Sequence, residues 1–200
     1  MQLRDKPSAN GRRARIVALA SSTGGPRALQ ELLAALPPDF PVPILAVQHL
    51  AKGCVGHLVS ALAANCRMRV KLAEHREPLA SGTIYIAPDD YHLGVADQHS
   101  IELSGEPPVE RFRPSATWLF SSVALRFGAG AVAVILSGMG QDGVAGLVEI
   151  RRAGGLIVAQ DEASSAVYGM PRAAAEARLP DFVLPLPAIA DQLMALAASW

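Results

Sequence analysis

Four short runs of almost entirely apolar residues most constrain what this chain can fold into. They are IVALA (16–20), PILAVQ (43–48), AVAVIL (131–136) and LIVAQ (156–160). Apolar and polar residues do not alternate in them, which is typical of strands buried on both faces of a parallel sheet. Segments with helical spacing lie between the runs. The pattern predicts an α/β fold, with a mostly parallel, doubly wound sheet flanked by helices.

Two further segments differ from this pattern. In residues 81–104, short β-prone pieces are interrupted by Gly, Pro and Asp, which predicts an antiparallel β-hairpin. We place this hairpin at the edge of the sheet. Residues 1–13 carry Pro, Ser, Asn, Gly and charges without apolar periodicity, so we interpret them as a disordered tail or linker remnant. Residues 14–200 are assigned to one domain.

Charge and hydropathy exclude several classes of protein. The chain has 18 Lys and Arg against 18 Asp and Glu residues, so no net field attracts nucleic acid or an anionic membrane. No apolar run approaches the roughly 20 residues of a membrane span, and residues 16–20 are too few for the roughly 7–15 residues of a signal-peptide core. Two cysteines, Cys54 and Cys66, are too few for a secreted disulfide scaffold. We expect a cytoplasmic monomer that neither binds nucleic acid nor inserts into a membrane.

Three residues with complementary chemistry follow predicted strands. Ser22 follows the first strand, His49 ends the second, and Asp142 follows the run at 131–136 across a short turn. In open parallel sheets, ligands bind beyond the carboxyl ends of the strands. A serine hydroxyl becomes nucleophilic when an imidazole takes its proton, and a carboxylate orients that imidazole. The three residues are therefore candidates for a catalytic triad.

The segment around Ser22 has the local features that a nucleophile needs. ASSTG (20–24) is a G-x-S-x-G elbow with alanine in place of the first glycine, and its small residues permit a sharp strand-to-helix turn. A helix predicted to begin near Gly25 would direct its amide groups toward an oxyanion at this turn. Ser21 comes one residue earlier, so its side chain should point elsewhere.

Other interpretations of these residues stay open at this point. Ser22 and Asp142 could each cap a helix, and His49 could be a histidine at a strand end without a catalytic role. GMGQDG (138–143) also matches the dinucleotide-binding pattern G-x-G-x-x-G, with Asp161 at the end of the next strand. That alternative, an oxidoreductase module, uses the following residues: Gly138, Met139, Gly140, Gln141, Asp142 and Gly143. It comes late in the chain and leaves Ser22 and His49 without a role.

No metal or other cofactor is expected. Asp89, Asp90 and His92 lie close together in sequence, but no further ligands occur at the spacing of a zinc site. We interpret these three residues as a polar turn.

Six motifs distributed from about residue 14 to 196 give the chain a specific resemblance. They are SSTGGP (21–26), VQHL (47–50), YIAPDDYHL (85–93), RFRPSA (111–116), ILSGMGQDG (135–143) and QDEASSAVYGMPRAA (160–174). In these motifs and in their order, the chain resembles the catalytic domain of CheB-type protein-glutamate methylesterases. The resemblance implies Ser22 as nucleophile, His49 as base and Asp142 as the residue that orients His49. It also implies oxyanion contacts at Thr23 and Met139.

The resemblance further implies a function in chemotaxis adaptation, within two-component signal transduction. Family members hydrolyse γ-glutamyl methyl esters on methyl-accepting chemotaxis receptors and release methanol, and many also deamidate receptor glutamines. The implied partner is the cytoplasmic helical bundle of such a receptor, and the implied reaction needs no cofactor. A non-catalytic domain that only docks to the receptor is a third alternative.

The chain departs from the family pattern at several positions. Ala20 replaces a glycine before the serine, residues 50–54 read LAKGC where Pro-Pro-Gly-Phe is usual, and Thr117 replaces an aspartate. We expect the last two departures to lie near bound substrate and to affect the choice of receptor. Family members also carry a preceding receiver domain that blocks the active site until it is phosphorylated. Residues 1–13 are too few to form one, so we expect activity without phosphorylation.

Overall fold

The computed structural model describes residues 14–197; the tail predicted at residues 1–13 lies outside them. The strands are β1 (Ile16–Ser21), β2 (Ile44–Gln48), β3 (Arg69–Leu72), β4 (Thr83–Ile86), β5 (His92–Val95), β6 (Ile101–Ser104), β7 (Ala131–Ile135), β8 (Leu156–Gln160) and β9 (Phe182–Leu184). The helices are α1 (Gly25–Ala34), α2 (Val55–Asn65), α3 (Ala116–Phe127), α4 (Val144–Arg152), α5 (Met170–Glu176) and α6 (Leu186–Ala197).

Seven of the strands form one sheet in the order β3-β4-β2-β1-β7-β8-β9. Every pairing between neighbours in this sheet is parallel. All residues of β1, β2, β7 and β8 are buried, which confirms the prediction made from their continuous apolar runs. In the sheet, β2 lies on one side of β1, and β7, which comes later in the chain, lies on the other side. The carboxyl ends of these three strands therefore meet at a topological switch point, where open sheets form ligand clefts.

Both faces of the sheet carry a hydrophobic core, as a doubly wound fold requires. Because successive side chains of a strand point to opposite faces, β1 contributes to both cores. Val17 and Leu19 pack in the core beneath α1, α2 and α6, whereas Ile16, Ala18 and Ala20 pack in the core with α3, α4 and α5. In the part of the chain described, no helix is long and apolar enough to cross a membrane.

The predicted antiparallel hairpin is formed by β5 and β6, with Val95 opposite Ile101. It does not extend the edge of the large sheet, where we had placed it, but is a separate two-stranded sheet. Leu93, Val95 and Ile101 are buried in the same core as Val123 of α3. Burial of these apolar side chains against the helix holds the hairpin over a face of the fold.

Candidate active site

A cleft of about 560 Å³ opens beyond the carboxyl ends of the central strands. Its walls come from the β1–α1 turn, the segment after β2, the loop after β4 and the segment before α3. Ser22, Thr23, His49 and Phe112 all line it. Two of the three predicted strand-end residues, Ser22 and His49, therefore share one concave surface, whereas Asp142 is buried and is not among the residues that line it.

The backbone of Ser22 is fixed on both sides. Its amide donates to the carbonyl of Ser137 (3.0 Å), and its carbonyl accepts from the amide of Gly25 (2.8 Å) and from Nε2 of Gln48 (2.8 Å). Gly24 has a φ of 81°, and a Cβ on Gly25 would lie 2.8 Å from Cβ of Ser21. The turn is thus as tight as the elbow pattern predicts. Within residues 14–197, the Ser22 hydroxyl has no hydrogen-bond partner.

Ser21 is held by Gln48 and does not line the cleft. Its buried hydroxyl donates to Oε1 of Gln48 at 2.7 Å. Nε2 of the same amide donates to the carbonyls of Ser22 and His49, each at 2.8 Å. Gln48 therefore ties the end of β1 to the end of β2. We did not assign it a role from the sequence, although a polar residue ending an apolar run was a usable signal.

His49 and Asp142 are in direct contact. Nε2 of His49 lies 2.9 Å from Oδ2 of Asp142, although the ring N–H does not point straight at that oxygen. The carboxylate also accepts hydrogen bonds from Oγ of Ser115 (2.9 Å) and from the amides of Ala116 (2.7 Å) and Thr117 (3.0 Å). The non-catalytic interpretation had Asp142 capping the helix that follows it. It lies instead at the N-terminus of α3, which is distant in sequence.

The environment of Asp142 favours its ionised form. The residue is only 1% exposed, and this burial alone would raise the pKa of its carboxyl group. The close contact with the His49 imidazole and the hydrogen bonds from the amides of Ala116 and Thr117 outweigh burial, so the pKa of the carboxyl group lies below its ordinary value. A carboxylate at neutral pH can therefore hold the imidazole and stabilise its protonated form.

An aromatic ring packs against the face of the His49 imidazole. Phe112 stacks on the imidazole with ring centroids 4.1 Å apart and planes 6° from parallel. Nδ1 of His49 is buried and has no hydrogen-bond partner among the residues described. Ser22 and His49 line the same cleft without a hydrogen bond between them, as is common before substrate binds. The sequence motif RFRPSA contained Phe112, but we gave that residue no role.

The two predicted oxyanion positions flank Ser22. A Cβ on Gly138 would lie 2.8 Å from Cβ and 3.0 Å from the amide nitrogen of Ser22, so the turn that carries Met139 packs directly against the serine. Met139 is 68% exposed and is not among the residues that line the cleft. Across residues 14–197, neither the Thr23 amide nor the Met139 amide has a hydrogen-bond partner. Unpaired amides are the groups that an oxyanion hole requires, so the oxyanion contacts at Thr23 and Met139 stay a prediction.

Comparison with known proteins decides the family. The family model for CheB methylesterase matches residues 17–193. The chain belongs to the CheB methylesterase family. It is 53% identical over 178 residues to protein-glutamate methylesterase/protein-glutamine glutaminase 4 of Myxococcus xanthus, covering 89% of this chain and 50% of that protein. It is 46% identical over 182 residues to the group 3 operon enzyme of the same name from Rhizobium meliloti, covering 91% and 51% respectively.

The fold agrees with a solved structure of this family. The crystal structure of the Thermotoga maritima CheB methylesterase catalytic domain matches with a TM-score of 0.89 and 36% identity, covering 92% of this chain and 98% of that one. The chain spans about half the length of the curated relatives it matches.

The dinucleotide-binding alternative is not supported. Gly138 packs against Ser22, and the amide of Gly143 donates to Oγ1 of Thr117 at 2.9 Å. The carboxylate of Asp161, the expected ribose ligand, accepts from the amide (2.9 Å) and hydroxyl (2.6 Å) of Ser164. These groups stabilise the CheB fold, and the buried Asp142 carboxylate would repel a pyrophosphate.

Two departures from the family pattern, residues 50–54 and Thr117, are expected near bound substrate, and the structure places only the first of them in the cleft. Leu50, Ala51 and Lys52 line the cleft as expected, but Thr117 is not among its lining residues. The Thr117 amide is bonded to Asp142 and its hydroxyl to the amide of Gly143. Because both groups are used in holding α3 against the turn before α4, Thr117 has a structural position.

Asp89 and Asp90 connect two loops of the cleft. Oδ2 of Asp89 accepts from the amide of Gly53 at 2.8 Å, and Asp90 forms an ion pair with Lys52. His92 is buried away from them and stacks on Trp118. Among residues 14–197, no group of three or more His, Cys, Asp or Glu side chains could hold a metal ion.

Proposed function

We propose that this chain is a serine hydrolase that removes methyl groups from γ-glutamyl methyl esters of a protein substrate and releases methanol. The observation that carries the proposal is the contact between His49 and Asp142 beside the unpartnered Ser22 hydroxyl. Membership of the CheB methylesterase family, and the names of the relatives, support the choice of ester.

In the first step, Oγ of Ser22 attacks the ester carbonyl while Nδ1 of His49 takes the hydroxyl proton. The carbonyl electrons move onto oxygen, where the amides of Thr23 and Met139 stabilise the negative charge. The ionised Asp142 carboxylate beside Nε2 stabilises the imidazolium that forms. Because Nε2 lies beside the Asp142 carboxylate, Nδ1 is the ring nitrogen left to act as the base in this proposal.

In the second step, the tetrahedral intermediate collapses and the carbon–oxygen bond to methoxide breaks. His49 gives its proton to the departing methoxide, so methanol leaves and the glutamyl group stays on Ser22 as an acyl-enzyme. Water then attacks the acyl carbonyl while His49 takes one of its protons. In the collapse of this second intermediate, His49 returns its proton to Oγ of Ser22, and the glutamic acid side chain is freed and loses its proton to water to give the carboxylate.

The same steps hydrolyse a glutamine side chain, with ammonia in place of methanol as the leaving group. Several relatives are named protein-glutamine glutaminases as well as methylesterases. We therefore propose glutamine deamidation as a second reaction of this site. The proposed substrate is the cytoplasmic helical bundle of a methyl-accepting chemotaxis receptor, met by a monomer of this chain in the cytoplasm.

The test uses receptor membranes that carry methyl-esterified glutamates. Incubation with the chain should release methanol, and Ser22→Ala should abolish the release while leaving the circular dichroism spectrum unchanged. Receptor binding without methanol release would contradict the proposal and favour a docking domain. NAD binding measured by calorimetry, again without methanol release, would favour the nucleotide-binding alternative.

A further inference from the structure

A short turn at residues 109–112 forms one wall of the cleft. The amide of Val109 donates to the carbonyl of Phe112 (3.1 Å), and the amide of Phe112 donates back to Val109 (2.8 Å). The two central residues, Glu110 and Arg111, have φ values of 46° and 77°. A two-residue hairpin turn of this kind favours Asn or Gly at both positions. Other residues adopt the left-handed conformation only at an energetic cost.

The turn places Arg111 in the cleft and Phe112 on the catalytic imidazole. Arg111 lines the same cleft as Ser22 and His49 and is exposed. Stacking of Phe112 on His49 fixes the position of the turn relative to the reacting groups. Backbone strain kept beside an active site points to a role for the side chain that it presents.

The other charged groups on the cleft wall already have partners. Lys52 pairs with Asp90, and Asp89 accepts from the amide of Gly53. Nη1 of Arg113 donates to the carbonyls of Gly105 (3.0 Å) and Glu106 (3.1 Å). Arg111, by contrast, has neither an ion pair nor a hydrogen bond from its side chain within residues 14–197. Its guanidinium presents a planar set of donors that matches a carboxylate.

We propose that Arg111 determines specificity by binding a carboxylate on the substrate protein beside the esterified glutamate. The proposal rests on the methylesterase function proposed above. The ester that reacts is uncharged, so the group that meets Arg111 must be a neighbouring aspartate or glutamate side chain. Exposed ion pairs are modest in energy, so the contact ranks substrates and is not essential for turnover.

The experiment compares two methyl-ester peptides that differ only in the flanking residues, Asp and Glu in one, Asn and Gln in the other. The unaltered chain should hydrolyse the acidic peptide with a kcat/KM about two- to fivefold higher. Arg111→Asn should remove this preference without strain, because Asn tolerates a positive φ. Arg111→Lys should keep part of it. The preference should shrink as salt is raised, since exposed charges are screened.

Arg67→Gln is the matched control. Arg67 is also exposed, but it precedes β3 and so lies at the amino end of the parallel sheet, opposite the cleft. This variant should keep the full preference for the acidic peptide. An unchanged preference in Arg111→Asn, or an equal loss in Arg67→Gln, would overturn the proposal.

A binding measurement separates this proposal from the proposed function. If the unaltered chain releases methanol from neither peptide, the methylesterase function fails. Fluorescence anisotropy with the Ser22→Ala chain then decides the role of Arg111 by itself. Tighter binding of the acidic peptide, lost when Arg111→Asn is added, supports carboxylate recognition; equal binding of both peptides contradicts it.

Discussion

The ring of Phe112 lies flat on the imidazole of His49, with centroids 4.1 Å apart and planes 6° from parallel. Asp142 provides a second constraint on the imidazole, because its Oδ2 lies 2.9 Å from Nε2 of His49. Between them, the aromatic face and the carboxylate limit rotation of the ring. Both ring nitrogens are buried, and neither has a hydrogen bond of good geometry within residues 14–197, so the ring keeps a nitrogen free for the proton transfer that we propose for His49.

Phe112→Leu is expected to lower kcat about two- to tenfold, because aromatic pairs contribute roughly 0.5–1.5 kcal/mol beyond their buried area. KM should change less, since the lost contact orients His49. Phe112→Tyr keeps the ring and should restore most of kcat. Steady-state methanol release from one ester peptide measures both constants. Equal loss in the Leu and Tyr variants, or a change confined to KM, would show that stacking does not position the base.

Ser22→Ala is expected to abolish nearly all turnover, whereas Ser21→Ala should leave turnover largely intact. The hydroxyl of Ser21 is bonded to Gln48 inside the fold, so its loss leaves a buried acceptor unpaired and costs about 1–3 kcal/mol of stability. Thermal melts and methanol release separate the two effects. Adding His49→Ala to Ser22→Ala should cost no further activity, because the pair acts as a unit. An inactive Ser21→Ala chain that melts normally would mean that the wrong serine was assigned.

Asp142→Asn should reduce kcat by a factor on the order of 10³–10⁴ if the carboxylate orients and stabilises the imidazolium. Ser115→Ala provides the contrast, since Ser115 caps α3 and donates to Asp142 without touching His49. Loss of the cap should cost about 0.5–2 kcal/mol of stability, with a much smaller effect on kcat. Urea unfolding and the rate of methanol release, both measured for Asp142→Asn and for Ser115→Ala, test these two expectations. A normal rate in Asp142→Asn with reduced stability would reduce Asp142 to a capping residue.

The low pKa of Asp142 predicts a specific dependence of stability on pH. Burial acts to raise this pKa, but the close contact with His49 and the hydrogen bonds from the α3 amides lower it overall. A carboxyl group whose pKa is lower in the folded than in the unfolded chain stabilises the fold at pH values above its unfolded-state pKa, which is about 3.9 for Asp. This stabilisation is lost as the pH falls toward the pKa of the folded state. The free energy of unfolding should therefore decrease below about pH 4 less steeply in Asp142→Asn than in the unaltered chain. Identical slopes in urea titrations of the two proteins would contradict this.

The sequence was sufficient to predict the parts of the site that depend on local pattern. Continuous apolar runs identified the central strands, and the residues just after them, Ser22 and His49, lie in the cleft as expected. Roles that depend on contacts between distant segments were not predictable in this way. Phe112 reaches His49 through a turn with left-handed residues, and the hairpin lies over a face because α3 covers it. Periodicity in one segment carries no information about which distant segment packs against it.

Gly138→Ala is expected to inactivate the enzyme through the position of Ser22. A Cβ at residue 138 would lie 2.8 Å from Cβ and 3.0 Å from the amide nitrogen of Ser22, and would also overlap Sδ of Met170. Met170 can adjust, but the Ser22 backbone is fixed by Ser137 and Gln48, so the strain shifts the nucleophile or the Met139 amide. A shift of about 1 Å can reduce turnover about a hundredfold.

Gly105→Ala is the control, because no atom lies within 4 Å of its added Cβ, and it should keep full activity. Methanol release together with thermal melts distinguishes a displaced serine from an unfolded chain. A Gly138→Ala enzyme with normal kcat would show that close packing of this turn on Ser22 is not needed for catalysis.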